Sequence, residues 1–171
     1  MKTLLLLRHA KSSWAKDGLP DAERPLSTRG ERDAPRMGVR LHERGVRPDL
    51  VLSSPAVRAR RTATLVAPPL GYPADAIRLD AALYLAAPEE ILTVIAAQAN
   101  DVDCLLVVGH NPGFTDVANL LLPELGLANL PTAGAVVVDC VTEHWSEVRH
   151  ATRRLASYDY PKNPGPPATA D

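Results

Sequence analysis

Two short apolar runs end abruptly on polar, chemically competent residues, and that pairing limits the fold more than any other feature. Leu4-Leu5-Leu6-Leu7 stops on Arg8-His9, and Leu105-Leu106-Val107-Val108 stops on Gly109-His110. Apolar runs of this length without alternation are the pattern of strands covered on both faces. Ligands of open α/β sheets bind at the carboxyl ends of such strands. An arginine there pairs with phosphate through a fixed fork of donors, and a neutral imidazole attacks or moves protons. The two strand ends therefore point to phosphate chemistry.

The pattern along the chain supports alternating elements. A strand is expected over Lys2–Leu7, followed by a loop rich in Pro, Asp and Gly through Pro25. Ser27 or Thr28 can cap the next helix, with Glu31 three residues after Thr28 completing a capping box. Met37, Val39 and Leu41 supply its apolar residues, Gly45 stops it, and Pro35 should kink or split it. Leu50–Leu52 reads as a short strand. Ser54 then caps a helix with Pro55 in its first turn, running over Ala56–Val66 until Pro68-Pro69. A short strand is expected at Ile77–Leu79, and Leu83–Leu85 is left open. A helix follows from Pro88 to about Ala99, then a strand over Cys104–Val108 and a helix over Thr115–Leu122. Ala135–Val141 and Glu147–Thr152 read as an antiparallel pair closing the sheet. The alternation implies an α/β fold, a three-layer α/β/α sandwich with a mainly parallel central sheet. Residues 1–160 form one expected domain, and 161–171 read as a proline-rich disordered tail.

Composition narrows the function. The 171 residues carry a formal net charge of −1, with 46% hydrophobic and 23% charged residues. No global field favours nucleic acid or an anionic membrane. Arginines nevertheless crowd residues 24–61, as a local anion site would require, although a solvated helix face gives the same pattern. No segment approaches the ~20 apolar residues that span a bilayer, and the N-terminal run is too short for a signal sequence. Cys104 and Cys140 lie in apolar runs and read as reduced core residues, so the expected location is the cytoplasm. Cysteine and histidine spacing offers no metal site, and no cofactor is expected.

Four stretches in order carry a family resemblance. Leu7-Arg8-His9-Ala10-Lys11-Ser12-Ser13-Trp14 resembles the signature of the histidine phosphatase superfamily, and its small SixA-type phosphohistidine phosphatases are the most similar in wording. Arg24-Pro25-Leu26-Ser27-Thr28-Arg29-Gly30, the stretch from Ser53 to Ala63 around Arg58, and Val108-Gly109-His110-Asn111-Pro112-Gly113 resemble the family's later motifs. The resemblance covers roughly residues 2–155, and four ordered motifs are more specific than one. It implies that His9 is the nucleophile, that Arg8, Arg58 and His110 form the phosphate pocket, and that no metal takes part. The implied substrate is a phosphorylated protein of the histidine-containing phosphotransfer type, or a small phosphoester.

The residue chemistry agrees with that assignment. A neutral imidazole with a pKa near ~6.5 exposes a lone pair at neutral pH without a separate base. Phosphoryl transfer needs mainly positioning and charge neutralisation. Gly109 is expected to leave room for His110 beside the phosphate, and Asn111 to orient the neighbouring loop. Ser12 and Lys11 can bind phosphate or simply shape the loop, and Trp14 reads as a packing lid. Arg60 and Arg61 fit a solvated helix face, and His42, His144 and His150 fit the surface. The general acid is where the family pattern thins. Asp80, Glu89 and Glu90 are candidates, although each reads more readily as a surface or capping carboxylate, and Asp17 in the preceding loop is a weaker one. Without a clear acid, a substrate with a good leaving group such as a phosphoramidate fits better than mutase chemistry. A phosphate-binding module without turnover is the alternative from another class.

Overall fold

The computed structural model describes residues 1–164. Six strands form one sheet: β1 (Lys2–Arg8), β2 (Leu50–Ser53), β3 (Arg78–Leu79), β4 (Cys104–Gly109), β5 (Ala135–Val141) and β6 (Thr152–Asp159), in the order β3-β2-β4-β1-β5-β6. The first four are mutually parallel, and β5 and β6 close one edge antiparallel. Four helices cover the faces: α1 (Thr28–Glu43), α2 (Val57–Val66), α3 (Pro88–Ala96) and α4 (Gly113–Leu121).

The leucine run explains the layering. Successive strand side chains point to opposite faces. Leu4 and Leu6 pack with Ile91, Ile95, Phe114 and Val117 of α3 and α4. Leu5 and Leu7 pack with Ala34, Met37, Ala59 and Ala63 of α1 and α2. The result is the three-layer α/β/α sandwich with a mainly parallel sheet that the sequence implies. Cys104 and Cys140 are free thiols on β4 and β5. Among the described residues no helix is long and apolar enough to cross a membrane.

Several boundaries differ from the sequence reading for identifiable reasons. Ser27, not Thr28, caps α1, its hydroxyl accepting from the Gly30 amide at 3.1 Å. Glu31 does not complete a capping box there; it pairs instead with Arg61 of α2. Pro35 does not split α1, because the face bearing Ala34, Met37, Gly38 and Leu41 is buried and holds the helix continuous. Close packing also fixes the α1–α2 contact: a Cβ on Gly38 would sit 2.7 Å from the Val66 carbonyl oxygen. Ser54 does not cap α2, which begins at Val57 with Ala56 as its cap. The second strand of the antiparallel pair is not Glu147–Thr152 but Thr152–Asp159. Buried Trp145 and the Arg153 guanidinium, which donates to the carbonyls of Leu121, Val148 and Ala151, hold the preceding segment in turns. Pro161 and Asn163, assigned by composition to the tail, offer their carbonyls to Arg40 at 3.4 and 3.1 Å. The remainder of that segment, 165–171, lies outside the described residues.

Gly109 has a packing purpose that its position in the sequence did not suggest. A Cβ there would come within 2.5 Å of the Phe114 ring, so the glycine admits Phe114 beneath the strand end. Replacing Gly109 with alanine is expected to destabilise the fold by about 1–3 kcal/mol through overpacking. Urea denaturation measures it, and an unchanged midpoint contradicts this packing account.

Candidate active site

The site is assembled by strand pairing. Arg8 pairs in register with Gly109 across parallel β1 and β4, so the next residues, His9 and His110, leave the sheet side by side. Their ring centroids lie 5.3 Å apart. The His9 amide donates to the Gly109 carbonyl at 3.0 Å, and the Ser54 amide to the Val108 carbonyl at 3.0 Å. The carboxyl ends of β1, β2 and β4 thus meet at one point. Arg58 reaches it from the first turn of α2, which is tied to the chain after His9 through Thr62. That hydroxyl donates to the Arg58 carbonyl at 2.7 Å and accepts from the Ala10 amide at 2.9 Å.

His9 is oriented by its own neighbour. Nδ1 lies 2.7 Å from the Ala10 carbonyl oxygen, which can only accept, so Nδ1 carries the proton and Nε2 keeps its lone pair. His110 is set differently. Its Nε2 lies 2.7 Å from the Ser54 hydroxyl, which already accepts from the Ala56 amide at 3.3 Å. With the hydroxyl proton donated to Nε2, the proton of His110 sits on Nδ1. That Nδ1 is buried and has no hydrogen-bond partner among the described residues, and the same holds for Arg8 Nε. Two orphaned donors beside a free lone pair fit an arriving oxyanion.

Burial tunes both imidazoles. Side chains of His9, Arg58 and His110 are buried. Desolvation pushes His9 down to about 3; the Ala10 hydrogen bond opposes this, while His110, Arg58 and Arg8 reinforce it. Desolvation lowers His110 to about 4, with Arg58 adding to the effect. Both are neutral at pH 7. Arg8 donates through Nη1 to the Leu130 carbonyl at 2.9 Å, the same oxygen that accepts from Asn111 Nδ2 at 2.9 Å. Asn111 thereby anchors the loop before β5, as its position suggested.

The rim was not apparent in the sequence. Asp21, on a short 3-10 turn (Asp21–Glu23), accepts from Arg58 Nη2 at 2.9 Å and from the Tyr84 hydroxyl at 2.5 Å through Oδ2, and from Arg24 Nη1 at 3.1 Å through Oδ1. Its backbone carbonyl accepts from Arg58 Nη1 at 2.7 Å. The Tyr84 hydrogen bond and the two guanidiniums hold the Asp21 carboxyl down at about 2. Tyr84 also meets His110 edge-on at 5.6 Å. The only signals in the sequence were an Asp three residues before Arg24 and a tyrosine in a segment of unassigned structure.

Other candidates take different places. The Ser12 hydroxyl is turned to Arg24, and the Lys11 side chain is exposed while its carbonyl accepts from Ser27. Trp14 is exposed, with the Arg24 guanidinium stacked 3.3 Å above its ring. Asp80 and Glu89, the candidate general acids, are occupied elsewhere: Asp80 caps the Ala82 amide at 2.9 Å, and Glu89 pairs with Arg149 at 2.6 Å. Arg61 pairs with Glu31, and His42, His144 and His150 are exposed.

Known proteins share sequence and fold with this chain. The model of the histidine phosphatase superfamily (branch 1) matches residues 4–83. An uncharacterised protein of Mycobacterium tuberculosis is 34% identical over 165 residues, covering 91% of this chain and all of the relative. The crystal structure of a putative phosphohistidine phosphatase SixA from Agrobacterium tumefaciens is 31% identical, with a TM-score of 0.78 over 94% of this chain and 98% of that one. A putative phosphohistidine phosphatase SixA from Nakamurella multipartitia is 26% identical, with a TM-score of 0.80 over 94% and 96%.

The two buried imidazoles make a pH prediction. In a proton NMR titration, His9 and His110 should stay in their neutral positions from pH 8 down to pH 5. Both folded-state values lie below the unfolded ~6.5, so this contribution to stability is complete above pH ~6.5 and is lost as pH falls toward 3. A midpoint near 6.5 for either ring contradicts the burial account.

Proposed function

The chain belongs to the histidine phosphatase superfamily, and we propose that it is a metal-independent phosphatase acting through a phosphohistidine intermediate on His9. The observation that carries this reading is the hydrogen bond between His9 Nδ1 and the Ala10 carbonyl, which leaves Nε2 as the one free lone pair on the ring. In the first step that lone pair forms a bond to phosphorus, and the bond to the leaving group breaks with its electron pair. In the second, water adds to phosphorus, the P–N bond breaks back onto Nε2, and the water proton ends on the released phosphate. Nδ1 keeps its proton throughout. Arg8 and Arg58 neutralise the equatorial oxygens, and the His110 Nδ1–H donates to one of them.

Protein phosphohistidine is the substrate we favour. Neither Asp80 nor Glu89 is free to protonate a leaving oxygen, and a phosphoramidate needs less help from an acid than an alkyl ester does. Similarity to solved proteins described as putative phosphohistidine phosphatases supports the same choice. The partner is then a phosphorylated protein of the histidine-containing phosphotransfer type.

Phosphate release from such a protein, run beside p-nitrophenyl phosphate with chelator present, tests the reading. His9→Ala is expected to lose activity on the order of a thousandfold or more, while chelator changes nothing. Turnover by the alanine variant contradicts the nucleophile, and release only from the ester transfers the assignment to small phosphoesters.

A further inference from the structure

Asp21 is an acidic group at the mouth of a site built for anions. Arg58 and His110, both buried, and half-buried Arg8 enclose the reacting centre, whereas the Asp21 side chain is 42% exposed. Beside that centre Asp21, Tyr84, Arg24 and exposed Trp14 form one contact network, and a substituent leaving on this side meets them. The carboxylate is firmly held there. Its backbone carbonyl and Oδ2 together take both terminal nitrogens of Arg58, so the contact also fixes the plane of that guanidinium.

Charge balance argues that Asp21 remains in place when substrate binds. With both imidazoles neutral, the guanidiniums of Arg8, Arg24 and Arg58 and the single carboxylate of Asp21 leave two positive charges in this network. A phosphoimidazolium carries two negative charges on its phosphoryl group and one positive charge on its ring, so with Asp21 in place the network exceeds it by one positive charge. Displacing the carboxylate would raise that excess to two. Oδ2 is saturated by Arg58 and Tyr84, but Oδ1 accepts only from Arg24, and a carboxylate oxygen offers two acceptor sites. One acceptor position on an ionised, part-exposed group is therefore free at the rim, beside the Arg58 guanidinium.

We propose that Asp21 is a specificity-determining residue that selects N-phosphorylated imidazole by accepting a hydrogen bond from the protonated distal nitrogen of the substrate ring. This rests on the reading of His9 as nucleophile. The step balances without a further acid. The substrate ring enters as a phosphoimidazolium, His9 Nε2 bonds to phosphorus, and the P–N bond breaks onto the substrate nitrogen. The ring then leaves neutral, still carrying its distal proton. An opposite charge at this distance favours a protonated imidazole by one to three pKa units. A phosphate ester with a neutral or acidic leaving group gains nothing from the same carboxylate.

Asp21→Asn keeps the shape and removes the charge. At pH 8, above the ordinary imidazole value of ~6.5, the ratio of kcat/KM for phosphohistidine to that for p-nitrophenyl phosphate is expected to fall by about tenfold or more. An unchanged ratio overturns the proposal, including the case where both substrates and tungstate affinity decline together, which is the signature of a residue that only orients Arg58. A second measurement does not depend on turnover. Tungstate-loaded protein, titrated with imidazole at pH 6 by calorimetry, should bind imidazolium about tenfold more tightly in the wild type than in Asp21→Asn. Equal binding overturns the proposal. Absence of turnover in the wild type would instead contradict the catalytic reading, while the binding comparison still decides Asp21.

Discussion

The pairing of β1 with β4 is the constraint on which the rest depends. Its register sets Arg8 opposite Gly109 and therefore His9 beside His110. A slip of one residue would turn Leu4 and Leu6 to the opposite face and separate the two rings, so the core and the site are fixed by the same hydrogen bonds. Core packing protects that register from both sides, with α3 and α4 on one face and α1 and α2 on the other. Phe114 lies under Gly109, so the strand end that carries His110 is itself part of the packed interior.

Desolvation then does the chemical work. Two imidazoles placed beside two guanidiniums out of water cannot easily hold a proton, and both are driven well below their usual range. A neutral ring is what a nucleophile requires. The protein also decides which nitrogen is available, and it does so with inexpensive groups: the Ala10 carbonyl for His9 and the Ser54 hydroxyl for His110. Neither contact needs reorganisation when phosphate arrives, which is the condition under which fixed dipoles are most effective.

What the sequence revealed and what it concealed divide along the range of the interactions. Leu4–Leu7 and Leu105–Val108 declared their strands, because burial on both faces leaves an unbroken apolar run. The polar residues that end those runs then located Arg8, His9 and His110. Arg58 was found through its motif, and α2 does present it, although Ala56 and not Ser54 begins the helix. Asp21 was not found. Two of its three side-chain partners lie 37 and 63 positions away, at Arg58 and Tyr84, and such contacts leave no periodicity. Its surroundings of Pro, Asp and Gly looked like an ordinary loop. Asp80 and Glu89 were attractive as acids only because their partners, the nearby Ala82 amide and the Arg149 guanidinium 60 positions away, could not be read from composition. Glu147–Thr152 looked extended until the buried Trp145 and the carbonyl contacts of Arg153 showed why it turns.

The central claim is that Ala10 holds the proton on His9 Nδ1 and so commits Nε2 to phosphorus. Rapid quenching of the enzyme with substrate, followed by nitrogen–phosphorus correlation NMR on the nitrogen-15-labelled phosphoenzyme, tests it directly. A single phosphoryl group coupled to His9 Nε2 is the predicted result. Phosphorus on Nδ1, or on any residue other than His9, would contradict the account.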